Sequence, residues 1–163
     1  MIDKDILLIK AERVQHHVKR IKDKRPPSLE EFTSQLELQE IILFNLQMAI
    51  QHCIDMASHV ISDDGLGMPG STNEIFYMLQ ENGYIPQDLT EKMVAAVGFR
   101  YLLVHEYAKV DLQEVYSISH EHIDDLLRFL KALFKKTGVA RGDALSPRNM
   151  SKRRTFPGGS RAK

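Results

Sequence analysis

Cysteine is nearly absent: Cys53 stands alone, so no internal disulfide can form, and its place in an apolar helical run suits a small core side chain better than a nucleophile. Long apolar runs are absent too. None approaches the stretch of about eighteen residues that a membrane span needs, and Asp3, Lys4 and Asp5 interrupt any signal-peptide core. The expectation is a soluble, cytoplasmic protein. No segment sustains the strand alternation of apolar and polar residues or carries a hairpin signal, which excludes a sheet-based fold. Net charge is missing as well, with 22 basic against 22 acidic residues, so the total predicts neither a nucleic-acid binder nor an acidic solvating chain.

What is present is helical periodicity in a chain of 163 residues, enough for one domain with a real core. Leu7, Ala11, Val14, Val18 and Ile21 recur at helical steps and stop before Pro26-Pro27. Ser28 and Glu31 match a capping box, and the helix they start is expected to run to about Ser62, ahead of Asp63, Asp64 and Gly65. That helix carries two apolar stripes, one through Ile42, Leu46, Ala49, Cys53, Met56 and Val60, the other through Leu43, Ile50, Ile54, Ala57 and Ile61. One contact needs one stripe, so this helix is either central in a bundle or shared with a second subunit. Ser71 caps a short helix ending at Asn82-Gly83. The next begins after Pro86, with a stripe of Met93, Val97, Tyr101 and Val104. A last helix begins near Ser119 and ends at Gly138, carrying Ile123, Leu126, Leu127, Leu130 and Leu133. The sequence thus predicts an all-α bundle of four main helices plus a short fifth over residues 1–138.

Residues 139–163 read as a flexible basic tail of Gly, Pro, Ser, Arg and Lys, too poor in apolar surface to offset the entropy of ordering it. Seven of the 22 basic residues fall there against one acid, Asp143, leaving fifteen basic and 21 acidic residues ahead of Arg141. An acidic body carries a basic tail, which is either a solubilising end or a weak, salt-sensitive attraction for RNA.

The stretch "GFRYLLVHEY" puts Arg100, His105 and Tyr107 into an otherwise buried-looking helix. Arginine offers a planar fork of donors to phosphate, and histidine exchanges protons near neutral pH. Together they suffice to cleave RNA without a metal: His105 handles a proton of the 2′-hydroxyl or of the leaving oxygen while Arg100 holds charge on the phosphoryl oxygens. The same residues also fit a structural reading in which Arg100 pairs with an acid and His105 ends a helix. Five residues along an ideal helix turn about 500°, so Arg100 and His105 point roughly 140° apart, while Tyr107 would come within about 20° of Arg100. A shared site needs a distorted helix end, a wrapping Arg side chain, or a second copy of the helix across a dimer.

"FRYLLVHEY" resembles the signature of HEPN-domain toxins of the HepT-like group: Arg, four residues, His, one residue, Tyr. "QMAIQHCIDMASHVIS", "GLGMPGSTNEIFYML" and "ENGYIP" extend the resemblance in order over roughly residues 1–135. It implies a HEPN-like helical homodimer, or a higher even oligomer, with a cleft between subunits. It further implies a metal-independent ribonuclease toxin of a type VII-like toxin-antitoxin pair, with Arg100 and His105 catalytic, RNA as substrate and no cofactor. Its cognate antitoxin would be a nucleotidyltransferase that transfers AMP to Tyr107, placing bulk and negative charge where an RNA phosphate must sit. Many members carry Asn directly after the Arg, where this chain has Tyr101. The alternative is a non-catalytic HEPN module that binds nucleotide or RNA and docks the nucleotidyltransferase.

His52, Asp55 and His59 lie on one face of the second helix at a spacing open to a metal, or to a polar strip that lines the dimer cleft or stabilises helix ends by hydrogen bonds; without a second matching cluster, the strip is the expectation. His16 with His17 and His120 with His122 read as solvated helix surface.

Overall fold

The computed structural model describes residues 2–139; the expected tail from residue 140 onward lies outside them. All regular elements among the described residues are helical. α1 spans Lys4–Lys24. Asp3 caps it, its Oδ1 accepting from the N–H of Asp5 at 3.1 Å and of Ile6 at 3.2 Å. Its buried side chains are the five read from the sequence.

The long second helix expected from Ser28 is in fact two. α2 covers Leu29–Ser34 and α3 covers Leu36–Asp63, with Gln35 extended between them at φ −120°, ψ 97°. No Pro or Gly marks the break. The cause lies in side chains that satisfy the carbonyls freed there: Gln39 Nε2 donates to Phe32 O at 2.9 Å and Thr33 O at 3.1 Å. The kink turns Phe32 into the core beside Tyr116, at a ring separation of 6.3 Å.

α3 buries both of its stripes within one chain, packing on α1 and on the later helices. This settles the choice between a central and a shared helix in favour of a central one. α4 (Thr72–Glu81) is capped by Ser71, and Glu74 reaches back to the Gly70 N–H at 2.7 Å. Its Phe76 packs against Phe129 with ring centroids 5.6 Å apart. α5 (Gln87–His105) carries the motif.

The last expected helix starts earlier than Ser119. Asp111 caps α6 (Leu112–Ser117), accepting from Gln113 N–H at 2.9 Å. A π-helical turn at Ile118–His122 then joins α6 to α7 (Asp124–Thr137). One partner of that turn is external: Arg25 Nη1 donates to Ser119 O at 2.8 Å. His120 Nε2–H donates to Pro26 O at 2.9 Å, so His120 is a tie between the bundle's ends and not solvated surface. Gly138 ends α7 in the left-handed region at φ 74°, where a side chain would be strained. Val139 after it is 4 % exposed.

Candidate functional site

α5 needs no apolar stripe of the kind the sequence suggested. The buried residues are Leu89, Thr90, Met93, Phe99 and Leu103, so of the expected stripe only Met93 is fully buried, with Val97 packed partly against the core. Tyr101 is 56 % exposed, Val104 is 42 % exposed, and Val97 is half-buried. Gly98 on the same side opens onto empty space. An amphipathic period reports that a face is apolar, not whether its cover is the same chain. Among the described residues nothing covers Tyr101 and Val104, and that end of the stripe is a surface strip.

The motif straddles the end of this helix. His105 is its last residue, and Glu106 leaves helical geometry at φ −135°, ψ 46° while its N–H still donates to Leu102 O at 2.9 Å. Tyr107–Lys109 form one 3₁₀ turn, held by Lys109 Nζ on Glu106 Oε1 at 2.9 Å. Tyr107 therefore lies beyond the helix. The 20° alignment with Arg100 assumed a continuing helix and does not apply; the separation of Arg100 and His105, both inside α5, stands at about 140°.

Arg100 is half-buried, and its Nε is buried with no hydrogen-bond partner. No carboxylate pairs with its guanidinium among the described residues, which removes the reading in which it neutralises a core acid. A buried donor left unpaired costs about 1–3 kcal/mol, so the position is unfavourable for a purely structural arginine and suited to an anion that arrives from outside. His105 is exposed. Its ring lies against that of Tyr101, four residues earlier, with centroids 4.5 Å apart and planes at 38°. Its nitrogens make no hydrogen bond to the described residues. Tyr107 is 57 % exposed with its hydroxyl equally free. No hydrogen bond or ring contact joins any two of Arg100, His105 and Tyr107. Within one subunit the three are neighbours along the chain and not an assembled site.

A cavity of about 610 Å³ lies elsewhere, between α3, α5 and the α6–α7 segment, with Met93, Phe99 and Leu126 among its walls. None of the three motif residues lines it. Its place does not follow the chemistry, and the unpaired Arg100 is the better guide to the site.

The polar strip of α3 is a network with α1. Lys10 Nζ pairs with Asp55 Oδ2 at 3.0 Å, and Gln51 Nε2 donates to Asp55 Oδ1 at 2.7 Å. Burial acts to raise the Asp55 carboxyl, but those two hydrogen bonds, with the Lys10 charge, hold it below the usual range. His17, read as solvated, is instead tied in: its Nδ1 meets Asn45 Oδ1 at 2.9 Å, and its ring stacks on His52 at 5.6 Å. Asn45 Nδ2 donates to Ile41 O at 2.7 Å, which makes Oδ1 the acceptor and puts the proton on His17 Nδ1. His52 is 6 % exposed, and its Nδ1 lies 3.8 Å from Asp55. Burial first, then the nearby Lys10, lowers it to about 4. Asp55 is thus engaged by a lysine, and among the described residues no group of three metal-binding side chains is placed to hold an ion. Burial raises the Cys53 thiol far above its ordinary value, consistent with a core filler. The signal for this network was Asn45, an amide inside an apolar stripe.

Comparison with known proteins bears on the motif. The family model described as "Ribonuclease HepT-like" matches residues 14–133, so the basic stretch from Arg141 lies beyond it. An "mRNA nuclease HepT" of Shewanella oneidensis is 30% identical over 129 residues, covering 79% of this chain and 96% of that protein. A "tRNA nuclease HepT" of Aphanizomenon flos-aquae is 27% identical, covering 71% and 78%. Among solved structures, a tri-AMPylated Shewanella oneidensis HEPN toxin in complex with MNT antitoxin superposes with a TM-score of 0.75 at 29% identity, covering 83% of this chain and 99% of that one.

Proposed function

This chain belongs to the HepT-like ribonuclease family, and from that premise we propose that it is a ribonuclease toxin neutralised by AMP transfer from a partner nucleotidyltransferase. The observation that carries the reading is Arg100: half-buried, with no acid paired to it among the described residues, and five residues from an imidazole whose nitrogens bond none of them. In the reaction, His105 takes the proton of a 2′-hydroxyl. The 2′-oxygen attacks the adjacent phosphorus, the bond from phosphorus to the 5′-oxygen breaks, and that oxygen takes a proton from water or a second imidazole. Arg100 offsets the negative charge that builds on the phosphoryl oxygens. Nothing in this sequence of steps requires a metal or a cofactor.

The roughly 140° between the two residues is bridged in a homodimer. The exposed strip of Tyr101 and Val104, flanked by Val97, supports α5 as its contact face, in place of the α3 stripe that the bundle itself consumes. Tyr107, exposed just past the helix end, supports the acceptor role. Its phenolic oxygen would attack the α-phosphorus of ATP held by the partner, lose its proton and release pyrophosphate. No helix among the described residues is long and apolar enough to cross a membrane, and a cytoplasmic location fits that and the RNA substrate.

One observation favours the alternative of a non-catalytic docking module: the Tyr101 ring lies against that of His105, with centroids 4.5 Å apart. Incubating the full-length protein with RNA in EDTA separates the two. Cleavage leaving 2′,3′-cyclic phosphate ends, and sparing RNA that carries 2′-O-methyl at the cut, supports the ribonuclease; inert behaviour of protein free of AMP supports the docking module.

A further inference from the structure

His105 ends α5 exposed, and no hydrogen bond to the described residues holds its ring. Glu106, the carboxylate next to it in sequence, is taken by Lys109 at 2.9 Å. A histidine on a helix has two common χ1 wells and two ring settings about χ2, so a ring left to itself divides its time among about four orientations. Proton transfer uses one of them, because a ring nitrogen has to reach the proton at hydrogen-bond distance. One contact among the described residues selects between them.

Helical side chains lean back toward the N-terminus, which lays the His105 ring over the turn of Tyr101 and Leu102. Leu102 is half-buried and Leu103 buried, whereas Tyr101 stays exposed and meets His105 ring to ring, with planes at 38°. Tyr101 contributes little to the core, and its hydroxyl bonds none of the described residues. The contact runs through the two rings, so it sets a direction without occupying either imidazole nitrogen. A contact that could shield His105 thus orients it. The same pair recurs in the fold. Tyr116 and His120, also four residues apart, lie with centroids at 4.3 Å and planes at 39°, and there the oriented imidazole delivers Nε2 to Pro26 O at 2.9 Å. At His120 the nitrogen so placed is spent on structure; at His105 both stay open to a substrate.

We propose that Tyr101 is a positioning residue: its ring holds the His105 imidazole in the orientation that exchanges a proton with RNA. The catalytic consequence rests on the ribonuclease reading; the restraint on the ring does not. Tyr101 acts through His105 and touches no reacting atom, so it sets the fraction of time the imidazole is ready and not the binding of RNA.

The test uses full-length protein free of AMP and labelled with ¹³C-histidine, beside Tyr101→Phe, which keeps the ring, and Tyr101→Leu, which keeps an apolar side chain without it. Light scattering checks the oligomeric state of each. The His105 ring-proton signals, assigned by their loss in His105→Gln, should be displaced from the free-histidine position by the Tyr101 ring current in wild type and Tyr101→Phe, and return to it in Tyr101→Leu. On unmodified single-stranded RNA, kcat of Tyr101→Leu should fall about fourfold with KM unchanged, as one favoured orientation spreads over about four, while Tyr101→Phe cleaves at the wild-type rate. Wild-type ring signals at the free-histidine position would overturn the proposal outright, and that arm decides alone should Tyr101→Leu dissociate. In a wild type that cleaves, an unchanged kcat in Tyr101→Leu would overturn it while leaving the ribonuclease reading intact. So would a change confined to KM, which would make Tyr101 a contact for RNA, or a Tyr101→Phe as slow as Tyr101→Leu, which would move the effect to the hydroxyl. Displaced signals that Tyr101→Leu loses, in a wild type that cleaves no RNA, would leave the restraint standing and bring down the ribonuclease reading.

Discussion

Lowering the pH from 7 to 4.5 should weaken this fold through one imidazole. His52 is buried against His17 and lies near Lys10 and Arg13, so its charged form is disfavoured by burial first and by those cations next; its value falls from 6.5 to about 4. Asp55, 3.8 Å away, opposes the shift without cancelling it, because its charge is already shared with Lys10 and Gln51. Between the two values the unfolded chain binds a proton that the folded chain does not. Stability is therefore complete above about pH 6.5 and is lost as pH falls toward 4. Each pKa unit is worth about 1.4 kcal/mol, so the loss by pH 4.5 is about 2–3 kcal/mol. Against a total of about 5–15 kcal/mol that is a large share. With a urea slope of about 1–3 kcal/mol per molar, the midpoint should drop by about 1 M. The assay is urea unfolding followed by circular dichroism at several pH values, for wild type and for His52→Leu, which removes the titrating ring. The leucine variant should lose most of the dependence between pH 6.5 and 4.5. Asp55 acts lower: its depressed carboxyl stabilises the fold above its ordinary value and gives up that contribution only as pH falls further. A wild-type midpoint flat from pH 7 to 4.5, or a variant as pH-sensitive as wild type, would refute the reasoning.

Other consequences concern the motif helix and its surroundings. Val104→Glu with Tyr101→Glu should turn the homodimer into a monomer on light scattering, since like charges would then face each other across the strip; an unchanged dimer would move the interface off α5. Incubation with the nucleotidyltransferase and ATP should add AMP to the wild type and not to Tyr107→Phe, read by intact mass and peptide mapping. A mass gain that persists in the phenylalanine variant would place the acceptor elsewhere. Phe76→Ala should cost about 3–5 kcal/mol in urea unfolding, because the ring is fully buried and packs on Phe129.

How far the sequence could be read depended on where each helix finds its partner. α1 buries its five periodic residues because its neighbours belong to the same chain, so period and burial coincide. On α5 the period was real and the inference from it failed: Tyr101 and Val104 form an apolar face that the described residues leave open. The break at Gln35 and the π turn at Ile118–His122 escaped for another reason. Each is stabilised by a distant or lateral partner, Gln39 for the first and Arg25 for the second, and neither involves Pro or Gly. His17 and His120 were misread in the same way, since their partners, Asn45 and Pro26, are 28 and 94 residues away. At the site, residue types drew attention to Arg100 and His105, and the resemblance to the HepT-like group added Tyr107. That Arg100 lacks an acid, and that Tyr101 leans on His105, are facts of packing that no spacing rule contains.

The most direct measurement is the RNA cleavage rate of wild type, Arg100→Ala and His105→Ala, each purified free of AMP and shown to be folded and of wild-type oligomeric state. Loss of a proton-transferring side chain typically lowers a rate by about 10²–10⁴, and loss of a donor that stabilises developing charge by about 10²–10³. The account predicts falls of that size in both variants, with wild-type activity persisting in EDTA. Cleavage by His105→Ala at the wild-type rate would contradict it and leave the motif a docking element.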